Sequence, residues 1–238
     1  MYKGKKIRIK DDLSHKDRAI LCLSEFFGTL IFLFIGCMGC VHPHLNSNLH
    51  ISFTFGLGIM LPVQLFAHIS GGHVNPAVSI SAVVLGRIPL IHLPLYIVSQ
   101  IIGAFTGFGL LKLFMPSDAP KGVCSPGLGP GISAWQGLGV EVFLTFTLLM
   151  ACGAVWDSRN AENHDSVSLR LGLVVGVLAM AGVPFTGANM NPARSLAPAV
   201  INGDWENWWV YWIGPIGGGL LGATLYRFVF SKEEDLEE

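Results

Sequence analysis

The sequence predicts an all-α membrane protein of six transmembrane helices plus two re-entrant half-helices, arranged as an inverted repeat. Three observations carry this expectation. Of 238 residues, 51% are hydrophobic and only 13% charged, about half the charge of a soluble protein and too little to coat a soluble surface. Six apolar stretches are each long enough to cross a bilayer. A short motif also recurs, from Ser70 to Thr186, at an offset of 116 residues. Disorder is excluded by the same composition, and a net charge of -1 gives no basic field for nucleic acid.

The elements follow in order. Residues 1–18 form a basic, polar N-terminus with no apolar stretch, so no cleavable signal peptide is expected. The apolar, span-bearing region runs over 19–230, with spans at 19–41, 50–68, 91–114, 134–156, 168–184 and 207–230. Two apolar pieces, 74–85 and 190–201, are too short to cross and fit half-helices that enter and stop. Repeats 19–114 and 134–230 are joined by the Pro- and Gly-rich loop 115–133, and residues 231–238 form an acidic, solvated tail.

Basic residues set the orientation. Lys3, Lys5, Lys6, Arg8, Lys10, Lys16 and Arg18 precede the first span, Arg159 follows the fourth, and Arg227 and Lys232 end the sixth. With six spans these fall on one side, which the positive-inside rule makes cytoplasmic. Both termini are therefore expected inside, in a protein of the plasma membrane. The five cysteines (Cys22, Cys37, Cys40, Cys124, Cys152) have no metal-ligand spacing, and their odd number and apolar neighbours predict reduced thiols rather than a disulfide.

The repeat is detailed. Ser70-Gly71-Gly72-His73-Val74-Asn75-Pro76-Ala77 pairs with Thr186-Gly187-Ala188-Asn189-Met190-Asn191-Pro192-Ala193, and Glu25 pairs with Glu141 at the same offset. Tyr96, Gly103 and Gly107 pair with Tyr211, Gly218 and Gly222 at 115. Three spans separate the copies, so the halves lie in opposite orientations, an arrangement of many transporters and channels whose site sits at the bilayer midplane.

One Asn-Pro opening a helix is ordinary, since Asn caps well and Pro suits the first helical position. Two copies on short helices mean more. Entering from opposite faces, they meet N-terminus to N-terminus and aim two positive dipole ends at one spot. The amides of Asn75 and Asn191 could then donate into a lumen. Irregular backbone at Gly71-Gly72-His73 and Gly187-Ala188-Asn189 is tolerated at membrane depth where its carbonyls line that cavity. Arg194 is a charge costly to bury, which marks a functional site by default, the alternative being an Arg bonded only to loop carbonyls; the buried acids Glu25 and Glu141 are either structural or proton-carrying.

SGGHVNPAVS, TGANMNPARS and the first-span EFFGTLIFLFIG are the signatures of the aquaporin (major intrinsic protein) family, which the chain resembles along almost its whole length. The resemblance implies an hourglass pore, four pores in a homotetramer, and no cofactor or metal. It implies that Asn75, Pro76, Ala77 and Asn191, Pro192, Ala193 are the paired pore motifs. It implies that Glu25 and Glu141 hold the loops, and that His73 lines the cytoplasmic half. The selectivity filter carries over to Phe55, Ala179, Ala188 and Arg194. Water-selective members have His where this chain has Ala179, so the filter is wider and apolar on one side, suiting glycerol and urea as well as water. The frequent mercury-reactive Cys is Ala188 here, which predicts little mercurial block through that site.

Ser195, Ala199, Tyr211 and Trp212 are instead similar to water-type members. A water-type frame with a widened filter resembles the insect entomoglyceroporins. A strictly water-selective pore is the alternative. An ion- or proton-coupled transporter and a structural role in membrane contacts stand further off. An enzyme is not expected, because the chain shows no nucleophile–base pairing or phosphate loop.

Overall fold

The computed structural model describes residues 9–41, 47–163 and 165–231. The expectations for Lys3, Lys5, Lys6, Arg8, Lys232 and the acidic tail lie outside them. Eight α-helices run in order: α1 (His15–Met38), α2 (Asn48–Ser70), α3 (Pro76–Val84), α4 (Leu93–Phe114), α5 (Ala134–Trp156), α6 (Val167–Thr186), α7 (Pro192–Asn202) and α8 (Val210–Leu225), the last continuing into a π-helical turn, Tyr226–Phe230. No strand occurs among the described residues.

Among the described residues six helices, α8 taken together with its π-helical turn, are long and apolar enough to cross a membrane, and α3 and α7 are the two short ones. Local chemistry sets their ends. Ser14 caps α1 through the Asp17 N–H, so α1 starts before the apolar run does. Ser133 and Gln136 close a capping box at the start of α5. Asn75 and Asn191 cap α3 and α7, with Pro76 and Pro192 at the first helical position.

Polarity is reversed relative to a soluble domain. Leu23, Phe27, Leu57, Leu173, Val177 and Leu221 face outward, while Glu25, Gln100, Glu141 and Arg194 are buried. Such an exterior suits lipid, where the driving force for helix contact is close packing rather than burial of apolar surface. Glycine supplies the close packing. Gly103 and Gly107 of α4 lie so close to Phe26 and Leu30 carbonyls of α1 that a Cβ would overlap them; Gly218 and Gly222 of α8 lie equally close to Val142 and Phe146 of α5. The glycine ladders are thus used inside each repeat, and α2 and α6 close the bundle between repeats at Gly56, Gly172 and Gly176.

One expectation fails. Cys37 and Cys124 form a disulfide across Cα atoms 5.4 Å apart, linking the end of α1 to the long loop. The physical reason is topological: the end of the first span and the loop after the third emerge on the same side, and the loop folds back over the bundle. Gly129 N–H donates to Phe185 O, and the Asn202 amide donates to Val123 O, so residues 115–133 are pinned rather than simply spanning.

Candidate functional site

The site is built around two loops that enter the protein as inverted copies of each other. Gly71 and Gly72 have φ of 92° and 60°, and Gly187 has 74°, a region glycine occupies readily. Val74 (45°), Ala188 (49°) and Met190 (53°) sit in it too. A β-branched residue there is strained, and such strain persists only where the surroundings impose it.

Two carboxylates impose it. Glu25, fully buried, accepts from Ser70 Oγ (2.6 Å), His73 N–H (3.0 Å), Val74 N–H (2.8 Å) and the Gln100 amide (2.7 Å). Glu141 accepts from Thr186 Oγ1 (2.6 Å), Asn189 N–H (2.9 Å) and Met190 N–H (2.8 Å). Each carboxylate therefore satisfies the N–H groups that the left-handed turn strips from helical pairing, at a depth where an orphan N–H is expensive.

The two asparagines then tie loop to loop. Asn75 Oδ1 accepts from Ala77 N–H and its amide donates to Met190 O (2.8 Å). Asn191 Oδ1 accepts from Ala193 and Arg194 N–H, and its amide donates to Val74 O (2.9 Å). One N–H of each amide is thus spent on the opposing loop rather than aimed at a lumen, and one remains, since the group carries two.

A cavity of about 60 Å³ lies beside this knot. Both asparagines line it, with Gly71, Gly72, His73, Asn189 and Met190 from the loops and Ile59, Val63, Leu148, Leu171 and Val175 from the helices. One water needs roughly 10–15 Å³ of such space, so the cavity holds several. Its wall is apolar apart from the loops.

Of the four predicted filter residues, Phe55 and Ala179 lie one helical turn from cavity-lining residues of α2 and α6. Phe55 is four residues before Ile59 on α2, and Ala179 four beyond Val175 on α6. Arg194, 4% exposed, lies 4.7 Å over the Phe55 ring, and its Nη1 donates to Cys124 O (3.0 Å). Ala179 and Ala188 are buried together in an aliphatic cluster with Leu148, Val175 and Met190. Phe55 and Arg194 thus meet directly, while the two alanines share a different patch of wall.

Residues 12–226 match the family model described as Major intrinsic protein. The chain belongs to this family, the aquaporins. It is an integral membrane channel, and the family consists of channels, not enzymes. Aquaporin-4 of Mus musculus is 38% identical over 220 residues, spanning 90% of this chain and 68% of that one. Aquaporin-2 of Homo sapiens is 38% identical over 218 residues, spanning 90% and 80%. The X-ray structure of the aquaglyceroporin from Plasmodium falciparum has the same fold, with a TM-score of 0.80 and 24% identity over 92% of this chain and 99% of that one.

Several residues of this aquaporin-family site escaped sequence reasoning. Cys124 supplies both a disulfide and the carbonyl for Arg194; the signal was that two cysteines sit at same-side ends of the topology. Gln100 bridges Glu25 and Ser79 (2.7 and 2.8 Å), and its polarity inside an apolar span was the clue. Cys152 and Trp156 line the cavity, which spacing on α5 alone does not reveal. His68 and His50 are exposed and take no part, and His42 and His44 lie outside the described residues.

Proposed function

We propose that this channel passes water together with small uncharged solutes, glycerol and urea among them, and excludes protons and ions. The observation that carries the reading is the pairing of a buried Arg194, stacked on Phe55 and held by Cys124 O, with alanine at both 179 and 188. In this reading Phe55, Ala179, Ala188 and Arg194 form the filter. An imidazole is absent from its α6 wall, so the aperture is larger and one side is apolar. The carbons of a polyol slide along that side while its hydroxyls meet the guanidinium. Pore diameter and lining donors decide selectivity in aquaporin-type pores generally.

Protons and cations are excluded by three groups. Arg194 repels cations at the filter. The N-termini of α3 and α7 bring two positive dipole ends to the midplane. Asn75 and Asn191 each keep one N–H for a passing water, whose oxygen then accepts from both and cannot relay a proton in both directions. The carbonyls of Gly71, Gly72, His73, Gly187, Ala188 and Asn189 provide the acceptor ladder on either side. Glu25 and Glu141 spend their oxygens on loop N–H groups, which supports a holding role over proton carriage. The same reading places the termini in the cytoplasm of a plasma-membrane homotetramer.

Ser195 and Tyr211 favour the narrower reading, a strictly water-selective pore, because both belong to the water-type frame. Stopped-flow swelling of proteoliposomes in glycerol and urea separates the two. We expect glycerol flux well above empty vesicles, linear in concentration. Ala179→His should lower it about tenfold and water flux far less. Glycerol flux equal to that of empty vesicles would overturn the wide-filter reading, and saturable, proton-dependent flux would overturn the passive pore.

A further inference from the structure

Trp156 is the last residue of α5, and its indole lines the cavity at the end where residues 9 and 231 also lie. Its ring centroid is 5.6 Å from that of His73. His73 is itself fixed, its ring 4.9 Å from Tyr96 and its Nδ1 3.1 Å from Ser79 Oγ. Behind it, the same indole forms part of a small polar pocket with Arg87, Tyr226 and Arg227. Trp156 therefore borders both the cavity and this second pocket.

The ring is held from its own backbone. Asp157 accepts from Arg159 N–H, Nε and Nη2 (2.9, 2.8 and 2.7 Å) and from Tyr226 Oη (3.1 Å), so the residue after Trp156 is tied to the last span. The Arg159 guanidinium holds the Asp157 carboxylate at a pKa of about 2, so this clamp stays charged at any physiological pH. The Tyr226 ring packs flat on Gly153, where a Cβ would collide with it. By the 116-residue register, the counterpart of Trp156 is Cys40 at the opposite mouth. In the reading proposed above, the outer filter sets two small residues, Ala179 and Ala188, beside Phe55 and Arg194, whereas the cavity's other end carries the Trp156 ring.

We propose that Trp156, against His73, is a second size filter in series with the wide outer one, and that it sets the upper cross-section of the neutral solutes this channel passes. The inference rests on the reading of Phe55, Ala179, Ala188 and Arg194 as a widened filter. Barriers in series are governed by the largest, so a pore open at Ala179 is limited wherever the next ring stands. A Trp side chain presents roughly 150–250 Å² of surface, which makes it the largest group on this part of the wall. Linear polyols present a narrow profile to such a slot and branched ones a wide profile.

The test compares glycerol, the linear tetrol erythritol and the branched tetrol pentaerythritol in proteoliposomes with quantified protein. Wild type, Trp156→Ala, Trp156→Phe and Ala179→His/Trp156→Ala are measured. Wild type should pass glycerol and exclude pentaerythritol. Trp156→Ala should admit pentaerythritol at about tenfold the empty-vesicle rate, Trp156→Phe should not, and the double variant should close again to it. If wild type excludes glycerol and Trp156→Ala admits it, the second filter stands and the expected glycerol permeability of the wild type falls. If Trp156→Ala carries water but keeps the wild-type cut-off, the proposal is overturned while the outer filter remains untouched. Should Trp156→Ala carry no water, Trp156→Leu, which keeps apolar packing without the ring, is read by the same criteria.

Discussion

The two loops are copies in backbone and differ in side-chain chemistry. Both start from a left-handed glycine, both place a strained residue (Val74, Met190) just before the asparagine, and both hang from one buried carboxylate. Around the first loop His73 meets Ser79, Tyr96 Oη donates to Ser70 O (2.6 Å), and the Gln100 amide N–H adds a fourth donor to Glu25, while Gln100 Oε1 has no partner among the described residues. In the second, the counterpart of His73 is Asn189, whose amide has no partner among the described residues. The Tyr211 hydroxyl has none either, and Pro215 stands where Gln100 would be. The counterpart of Val78 is Arg194. Shared features are those the inverted fold needs twice. Unshared ones differ in kind: the first loop gains the Gln100 contact, and the second gains the charge of Arg194.

Removing the shared feature should have the largest effect. Glu25→Ala leaves four buried donors without an acceptor and Glu141→Ala three, at about 1–3 kcal/mol each. Both should lose most of their folded protein, Glu25→Ala the more, as read by thermal melting on fluorescence-detected size exclusion. Equal melting of the two would show that the extra Gln100 contact carries no energy.

Erasing the asymmetry itself comes next. Arg194→Val makes the second loop chemically like the first at that position. We expect a folded water channel with a measurable proton or alkali-cation leak, followed by an internal pH dye. A tight Arg194→Val channel would mean that the asparagines and helix dipoles suffice.

The smallest effect concerns the covalent link between α1 and the connecting loop. Cys124→Ser removes a disulfide closing 87 residues, worth roughly 2–4 kcal/mol, and loosens the carbonyl that orients Arg194. Melting should drop, and solute selectivity should shift more than water flux. A melting drop without any change in selectivity would separate the disulfide from the filter.

Legibility in the sequence followed the range of the interaction. Each span was readable because bilayer thickness fixes a length, and the half-helices because they fell short of it. Their starts were readable because Asn-Pro caps a helix locally. The loop anchors Glu25 and Glu141 were visible as charges in apolar runs. The Cys37–Cys124 bridge was misread because cysteine counting weighs number and neighbours, whereas pairing depends on which loop ends share a face. Gln100 and Trp156 were passed over because a lone polar or aromatic residue in a span carries no direction.

The sequence by itself therefore determined the spans, the inverted duplication, the family and the irregular stretches at mid-membrane, all properties of segments a few residues to one helix long. Only the tertiary structure decided how the asparagine amides are divided between opposing loop and cavity, and that Cys124 O holds Arg194. It also decided which residues of α5 line the cavity. Each of these depends on atoms brought together from across the chain within hydrogen-bond distance, and no periodicity along a single helix encodes such a meeting.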